Sequence, residues 1–206
     1  MYTDGRDIVE QDFLVPPSIG VAARGVGTAL GAGTYQWAVV WEWTDANGNL
    51  LQSLPTYKTL TLGAPDTVNV TVYSLCPTLK PGVILATYRT EADGPDFYRL
   101  VGKEQKNDAT VDSIGYVDDL PDSSINTDPT LYTDDNTLEN TQPPSYRVTC
   151  LHQSRQVVAD RELEAELLYY SKPFLDSVHV EHNDALTISV PAAGGRVTAL
   201  ASLMDR

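Results

Sequence analysis

At residues 35–43 the chain reads Tyr-Gln-Trp-Ala-Val-Val-Trp-Glu-Trp, and this stretch indicates the fold class. Large side chains occupy every second position, namely Tyr35, Trp37, Val39, Trp41 and Trp43. Because successive side chains of a β-strand point to opposite faces of a sheet, this period of two predicts a strand with one heavily aromatic face.

Turn-forming residues follow this strand and recur along the chain. Asn47 and Gly48 predict a tight hairpin, because asparagine and glycine adopt positive φ angles more readily than other residues. Further short strands with turn signals between them are expected at residues 56–62, 68–73, 83–90, 97–102 and 114–117. This spacing favours an all-β fold, and specifically an antiparallel sandwich.

The charge of the chain argues against two classes of partner. The 206 residues include 14 basic and 28 acidic side chains, for a net charge of −14. Phosphate backbones and anionic lipids repel such a chain, so neither specific nucleic-acid binding nor membrane association is expected. No apolar run approaches the roughly 20 residues that cross a bilayer, and the N-terminus has no secretory pattern. Cys76 and Cys150 stand in no metal or redox spacing.

Composition divides the chain into four expected segments. Residues 1–33 are an N-terminal extended segment with short strands at 8–9 and 13–15, followed by a glycine-rich linker. Residues 34–119 hold the sandwich. Residues 120–145 are acidic, rich in proline and free of basic residues, which favours an extended linker. In residues 146–206 strands resume, and they are expected at 147–151, 155–160, 167–171, 186–190 and 197–203.

Two groups of residues have the composition of metal sites without the required spacing. On a strand, His179 and Glu181 share one face and His182 points away, which favours a polar strand edge over a metal site. The acidic clusters at 118–122 and 134–135 lack the spacing of a dedicated calcium loop, so a solvated linker is favoured over a calcium site. Without a nucleophile elbow, and with three histidines in all, no catalytic set is identified; we expect no metal, no cofactor and no enzymatic activity.

The tryptophans Trp37, Trp41 and Trp43 allow two interpretations. If exposed, they would form a platform on which sugar rings stack. The first long strand of a sandwich more often buries its large rings in the core, and this second interpretation is favoured. A carbohydrate- or host-surface-binding site at these three residues is the alternative function.

Several motifs together carry a resemblance to a known family. Residues 33–37, 41, 43–45 and 47–48 resemble the opening strand and turn of a fibronectin type III-like module of bacteriophage tail proteins. Residues 88–90, 94 and 97–101 resemble its later hairpin, and residues 116–119 its closing strand. Residues 143–145, 170–173 and 195–200 resemble the β-propeller blades that flank such modules in tail hub or nozzle proteins, and residues 4–6, 9–10 and 13 resemble the end of the preceding blade.

This resemblance implies an immunoglobulin- or fibronectin III-like sandwich followed by a partial β-propeller-like blade region. It implies a virion structural protein, assembled in the host cytoplasm, in a phage tail or head–tail connection. The implied partners are copies of the same chain in a symmetric ring, other virion proteins, and passing DNA that is not specifically bound. Because a propeller needs several four-stranded blades, neighbouring chains or further sequence are expected to complete the strands of residues 147–206.

Overall fold

The computed structural model describes residues 2–73, 78–131, 140–142, 144–161, 164–173, 179–191 and 195–203, which form an almost entirely antiparallel β structure. This confirms the all-β prediction. The strands are β1 Tyr2–Thr3, β2 Ile8–Val9, β3 Ile19–Ala23, β4 Gly33–Thr44, β5 Leu50–Gln52, β6 Thr56–Leu62, β7 Val68–Val72, β8 Ile84–Arg89, β9 Tyr98–Arg99, β10 Gln105–Lys106, β11 Ile114–Asp118, β12 Val148–His152, β13 Arg155–Arg161, β14 Glu164–Tyr170 and β15 Thr187–Ser189.

The chain divides into two compact units. The first, here called the blade unit, comprises residues 1–14, 44–51 and 140–206; the second, the core unit, comprises residues 15–43 and 52–139. One short helix is described, α1 Asp122–Ile125. No helix among the described residues has the length and apolar character needed to cross a membrane.

Strand β4 is the centre of a six-stranded sheet. It pairs with β8 over residues 37–42 and with β6 over residues 33–39, while β5 pairs with it further along and β9 and β10 pair with β8. Every residue from 37 to 43 is buried. The aromatic face predicted from the sequence is therefore one of two buried faces of β4. On the opposite face, Ala38 and Val40 belong to a hydrophobic cluster with Tyr88 and Phe97.

A three-stranded sheet completes the core unit. Strand β7 lies between β3 and β11 and is antiparallel to both. Val68, Val70 and Val72 are buried, whereas Asn69 between them is exposed. This alternation is the one expected of a sheet with one face against a core.

The blade unit contains a short β1–β2 pair and a four-stranded sheet. Strands β12 to β15 are neighbours in chain order, each antiparallel to the next. Gln153 and Ser154 connect β12 to β13, and both have positive φ angles of 46° and 56°. Two consecutive residues with positive φ are typical of the tight hairpin turn whose twist matches that of the flanking strands.

The structure corrects several sequence-based expectations. Residues 13–15 and 197–203 are not strands, and strand β9 covers only two of the six residues expected at 97–102. Strand β3 lies in the N-terminal extended segment, where strands were expected only at residues 8–9 and 13–15. In the hairpin loop Gly48 alone has a positive φ, because the loop has five residues rather than two. The acidic segment contains α1, and both Ile125 and Leu131 are buried, so this part packs against the core unit's other residues rather than extending into solvent.

Candidate functional site

The three tryptophans of β4 are buried in the core unit. Trp37 and Trp41 are 0% exposed and Trp43 is 3% exposed. Tyr35 lies against Trp37 with ring centroids 5.9 Å apart, and the Lys80 ammonium lies 5.7 Å from the Trp43 ring centroid. A sugar-stacking platform needs an exposed ring face, so this burial favours the core interpretation over the carbohydrate site.

A buried ionic network surrounds Glu42 on the other side of β4. The guanidinium of Arg99 donates to both carboxylate oxygens of Glu42, at 2.8 and 2.9 Å. The Tyr88 hydroxyl and the Gln52 amide donate to Oε1 of the same carboxylate, at 3.0 and 2.7 Å. Glu104 accepts a further bond from Arg99 at 3.2 Å. The Glu42 carboxylate thus accepts hydrogen bonds from donors on three strands, β5, β8 and β9.

Two members of this network, Tyr88 and Arg99, have pKa values shifted away from neutrality. Burial and the charge of Glu42 raise the pKa of Tyr88 well above its ordinary value. Burial lowers the pKa of Arg99, but the hydrogen bonds and charge of Glu42 outweigh it and raise that pKa overall. Groups whose pKa values move away from neutrality in this way do not exchange protons near pH 7, which is typical of a structural ion pair.

A second buried ionic network joins the two sheets of the core unit. Arg89 of β8 donates to both oxygens of Asp118 at 2.9 Å, and both side chains are fully buried. The indole N–H of Trp37 donates to Oδ2 of Asp118 at 2.9 Å. The bonds from Arg89 to Asp118 come from its Nη1, and its Nη2 donates to Asp122 and to the carbonyl of Leu120, each at 2.9 Å. One arginine therefore fastens β11 and the start of α1 onto the six-stranded sheet.

These contacts account for the acidic cluster at residues 118–122. Asp118 and Asp122 bind Arg89, and Asp119 binds Lys103 at 2.6 Å. Each of these carboxylates is thus paired with a basic side chain of this chain. In the described residues no group of three histidine, cysteine or acidic side chains could hold a metal ion. The second cluster, at residues 134–135, lies outside the described residues.

The segment from His179 to His182 lies in the blade unit and is buried. His179 and His182 are 4% and 2% exposed, and Glu181 accepts a bond from the Lys172 ammonium at 3.4 Å. Among the described residues, neither ring nitrogen of His182 has a hydrogen-bond partner. The segment is not the polar strand edge expected from the sequence, since it belongs to no strand and is shielded from solvent.

Acidification is expected to destabilise the chain through His182. Burial lowers the pKa of His182 from 6.5 to about 4, so the unfolded chain binds the proton more readily than the folded one. Full stability is present above pH 6.5 and is lost as the pH falls toward 4, by up to about 3 kcal/mol for such a shift. Urea unfolding at pH 7, 5.5 and 4 measures this loss in the wild type and in His182→Leu, which cannot gain the proton. Equal pH dependence in the two proteins would contradict the assignment.

The four-stranded sheet of the blade unit has two outer edges, formed by β12 and β15. The Gln156 carbonyl accepts a hydrogen bond from the N–H of Ser171, just beyond β14. The backbone N–H and C=O groups of the next residue, Val157, therefore point toward β12, and those of its partner Cys150 point toward β13. By alternation, Thr149 and Leu151 direct their backbone N–H and C=O groups away from the sheet. The Leu186 carbonyl and the Val190 N–H bond to β14, so the backbone N–H and C=O groups of Thr187 and Ser189 in β15 point away from the sheet.

In the described part of the chain, no strand covers either edge. The Thr187 N–H donates locally to the Ala185 carbonyl at 3.1 Å, whereas both backbone groups of Ser189 point outward. Leu151 and Ile188, one on each edge strand, are 64% and 54% exposed. Neither edge strand contains the proline or lysine that commonly protects an exposed edge.

Sequence reasoning found the core strand but missed both ionic networks. Their members come from distant positions, such as Trp37 and Asp118, and no local spacing connects them. A buried arginine or glutamate within an apolar strand, as at Arg89 and Glu42, is the one signal that would have pointed to them. No protein-family model matches this chain, and no similar curated protein or solved structure was found.

Proposed function

We propose that this chain is a structural protein of a bacteriophage virion, a component of the tail or the head–tail connection that assembles with copies of itself into a symmetric ring. It contributes contacts and a channel wall rather than catalysis. It joins the virion in the host cytoplasm, beside other virion proteins.

The observation that carries this proposal is that no strand among the described residues covers either edge of the four-stranded sheet of the blade unit. Thr149 and Leu151 on β12, and Ser189 on β15, present backbone groups that a further strand would satisfy. An open edge with exposed apolar side chains is a template for pairing with another chain. A protein built to assemble uses such edges, whereas a solitary binding module protects them.

The arrangement of strands supports the finer fold that the sequence resembles. The six-stranded and three-stranded sheets of the core unit, joined by Arg89 and Asp118, fit a fibronectin III-like sandwich. Four consecutive antiparallel strands, β12 to β15, have the strand order of one propeller blade. Both features belong to the tail proteins whose motifs this sequence resembles.

The charge of the chain is compatible with DNA passing through such a ring. A net charge of −14 repels the phosphate backbone, so DNA would slide along the wall without sticking to it. The alternative function, carbohydrate binding through Trp37, Trp41 and Trp43, is less well supported because the rings are buried.

Negative-stain electron microscopy of the concentrated protein tests this proposal. We expect closed rings with one dominant symmetry and a central opening. A glycan array run on the same preparation should give no specific signal. Particles of single-chain size at every concentration, together with specific glycan binding, would contradict the proposal and favour the alternative function.

A further inference from the structure

We propose that the outer edge of β12 in one copy pairs, antiparallel, with the outer edge of β15 in a second copy. This inference rests on the proposed function and names the surface through which the copies associate. Both edges belong to the same sheet, so the pairing would continue that sheet from one copy into the next.

The hydrogen-bonding groups of the two edges are complementary. If Thr149 lies opposite Ser189 of the second copy, each can bond to the other's backbone N–H and C=O. In the same register Leu151 lies opposite Thr187, whose outward carbonyl can accept the Leu151 N–H. Three backbone bonds therefore form, and the Thr187 N–H keeps its local bond to Ala185.

The apolar side chains match in the same register. Directly opposed residues share one face of a sheet, so Val148, Cys150, Val157, Leu168, Tyr170 and Ile188 all lie on one face of the four-stranded sheet. Pairing Thr149 with Ser189 places Cys150 opposite Ile188 of the second copy. This continues the apolar face across the junction and covers Ile188, which is 54% exposed in the single chain.

The charges select β15, rather than a second β12, as the partner of β12. Residues 144–155 contain Arg147 and Arg155 and no acidic side chain, whereas residues 183–191 contain the exposed Asp184 and no basic one. Glu166 on the neighbouring strand is exposed at the other end of β15. Two β12 edges would bring arginines together, but β12 against β15 brings Arg155 toward Asp184 and Arg147 toward Glu166.

Pairing of two different edges has a consequence for assembly. Each copy uses β12 on one side and β15 on the other, so the contact repeats from copy to copy. Such a head-to-tail contact produces a ring when the rotation closes, and a filament when it does not. A symmetric β12–β12 contact would instead stop at a dimer.

A disulfide trap tests the register. The variant Ile188→Cys is made together with Cys76→Ser, so that Cys150 is the other thiol, and diamide is the oxidant. Residues opposed at a non-hydrogen-bonded position have Cα atoms about 4.5 Å apart, within the range that a disulfide spans. We expect a reducible ladder of dimers and higher multimers.

Two controls test whether the crosslinks come from Cys150 alone or from non-specific collisions between exposed thiols. Cys76→Ser alone should remain monomeric on a non-reducing gel, and Val26→Cys, whose native valine is 56% exposed in the core unit, should show only slow background crosslinking. Efficient dimers of Cys76→Ser alone would indicate β12–β12 pairing and overturn the inference. A ladder no stronger than that of Val26→Cys would overturn it as well.

Proline variants of each edge test whether β12 of one copy pairs with β15 of another copy. Thr149→Pro removes an outward N–H from β12, and Ser189→Pro removes one from β15, while the bonds to the neighbouring strands remain. Each variant alone should stay at the monomer mass, and an equimolar mixture should form dimers and nothing larger, through the one intact pair of edges. The matched variant Thr149→Val keeps its N–H and should assemble like the wild type.

The outcomes separate this inference from the proposed function. If the wild type and Thr149→Pro form rings equally well, the proposed pairing of β12 with β15 is wrong, but the proposed ring assembly is retained. If Ser189→Pro alone still forms dimers, the contact is not between β12 and β15. If the wild type stays a monomer at every concentration, both are contradicted.

Discussion

Replacing Arg89 with methionine is expected to lower the free energy of unfolding by about 3–5 kcal/mol. Arg89 and Asp118 are both fully buried, and the guanidinium supplies two of the bonds that stabilise the Asp118 carboxylate. Without it an anion remains in the core with the Trp37 indole N–H and the Leu120 N–H as its donors. Urea unfolding followed by tryptophan fluorescence measures the loss.

The matched control for this change is Lys103→Met. Lys103 also pairs with an aspartate, Asp119, but their side chains are 23% and 53% exposed. Solvent screens such a pair, so we expect a change of no more than about 1 kcal/mol. Equal losses in Arg89→Met and Lys103→Met would show that the Arg89 network does not hold the two sheets of the core unit together.

Truncating Trp41 to alanine is expected to lower the free energy of unfolding by about 3–5 kcal/mol, because it leaves a large cavity in the core. Trp41 is 0% exposed in the central strand β4. The same burial predicts blue-shifted fluorescence and weak quenching by acrylamide in the wild type. Chemical denaturation and a quenching titration together measure both effects.

Tyr73→Ala is the comparison for this truncation. Tyr73 is also aromatic, but it is 59% exposed, so removing its ring should change the free energy of unfolding by well under half as much. Should Trp41→Ala be as stable as the wild type, with native tryptophans that acrylamide quenches freely, the rings would be at the surface and the carbohydrate alternative would regain support.

Strands of the core unit could be predicted from the sequence where turn residues mark both of their ends. Strand β6 was predicted to the residue, and β7, β8 and β11 to within one residue at each end. Strand β7 also alternates between buried and less buried residues, whereas five of the six residues of β8 are buried, so its ends were predicted from the flanking turn residues. Strand β4 was predicted from the period of two in its large side chains, although the burial of its second face was not.

Other elements could not be predicted because their stabilisation is not local. Strand β3 contains Gly20 and two alanines, and its strand conformation depends on pairing with β7. Helix α1 is a single turn placed by the contact between Asp122 and Arg89, 33 positions apart. Residues 197–203 have an apolar pattern typical of a strand, yet no partner strand among the described residues pairs with them.

In the candidate site, too, features set by local sequence pattern could be predicted, whereas those that depend on strand pairing could not. The spacing of the tryptophans left a core position and an exposed platform open and the core was favoured; all three tryptophans are buried. The open edges of β12 and β15 could not be identified without the strand order. Sequence pattern predicts that a segment is a strand, but pairing decides which strand is last in its sheet.

The mass of the chain in solution, measured by light scattering over a concentration series, shows whether copies of the chain associate through the edges of β12 and β15. A single chain has a mass of 22.5 kDa. We expect a mass that rises with concentration to a defined multiple of this value in the wild type, and that stays at the mass of one chain in Thr149→Pro. A constant mass of 22.5 kDa in the wild type across the whole series would contradict it.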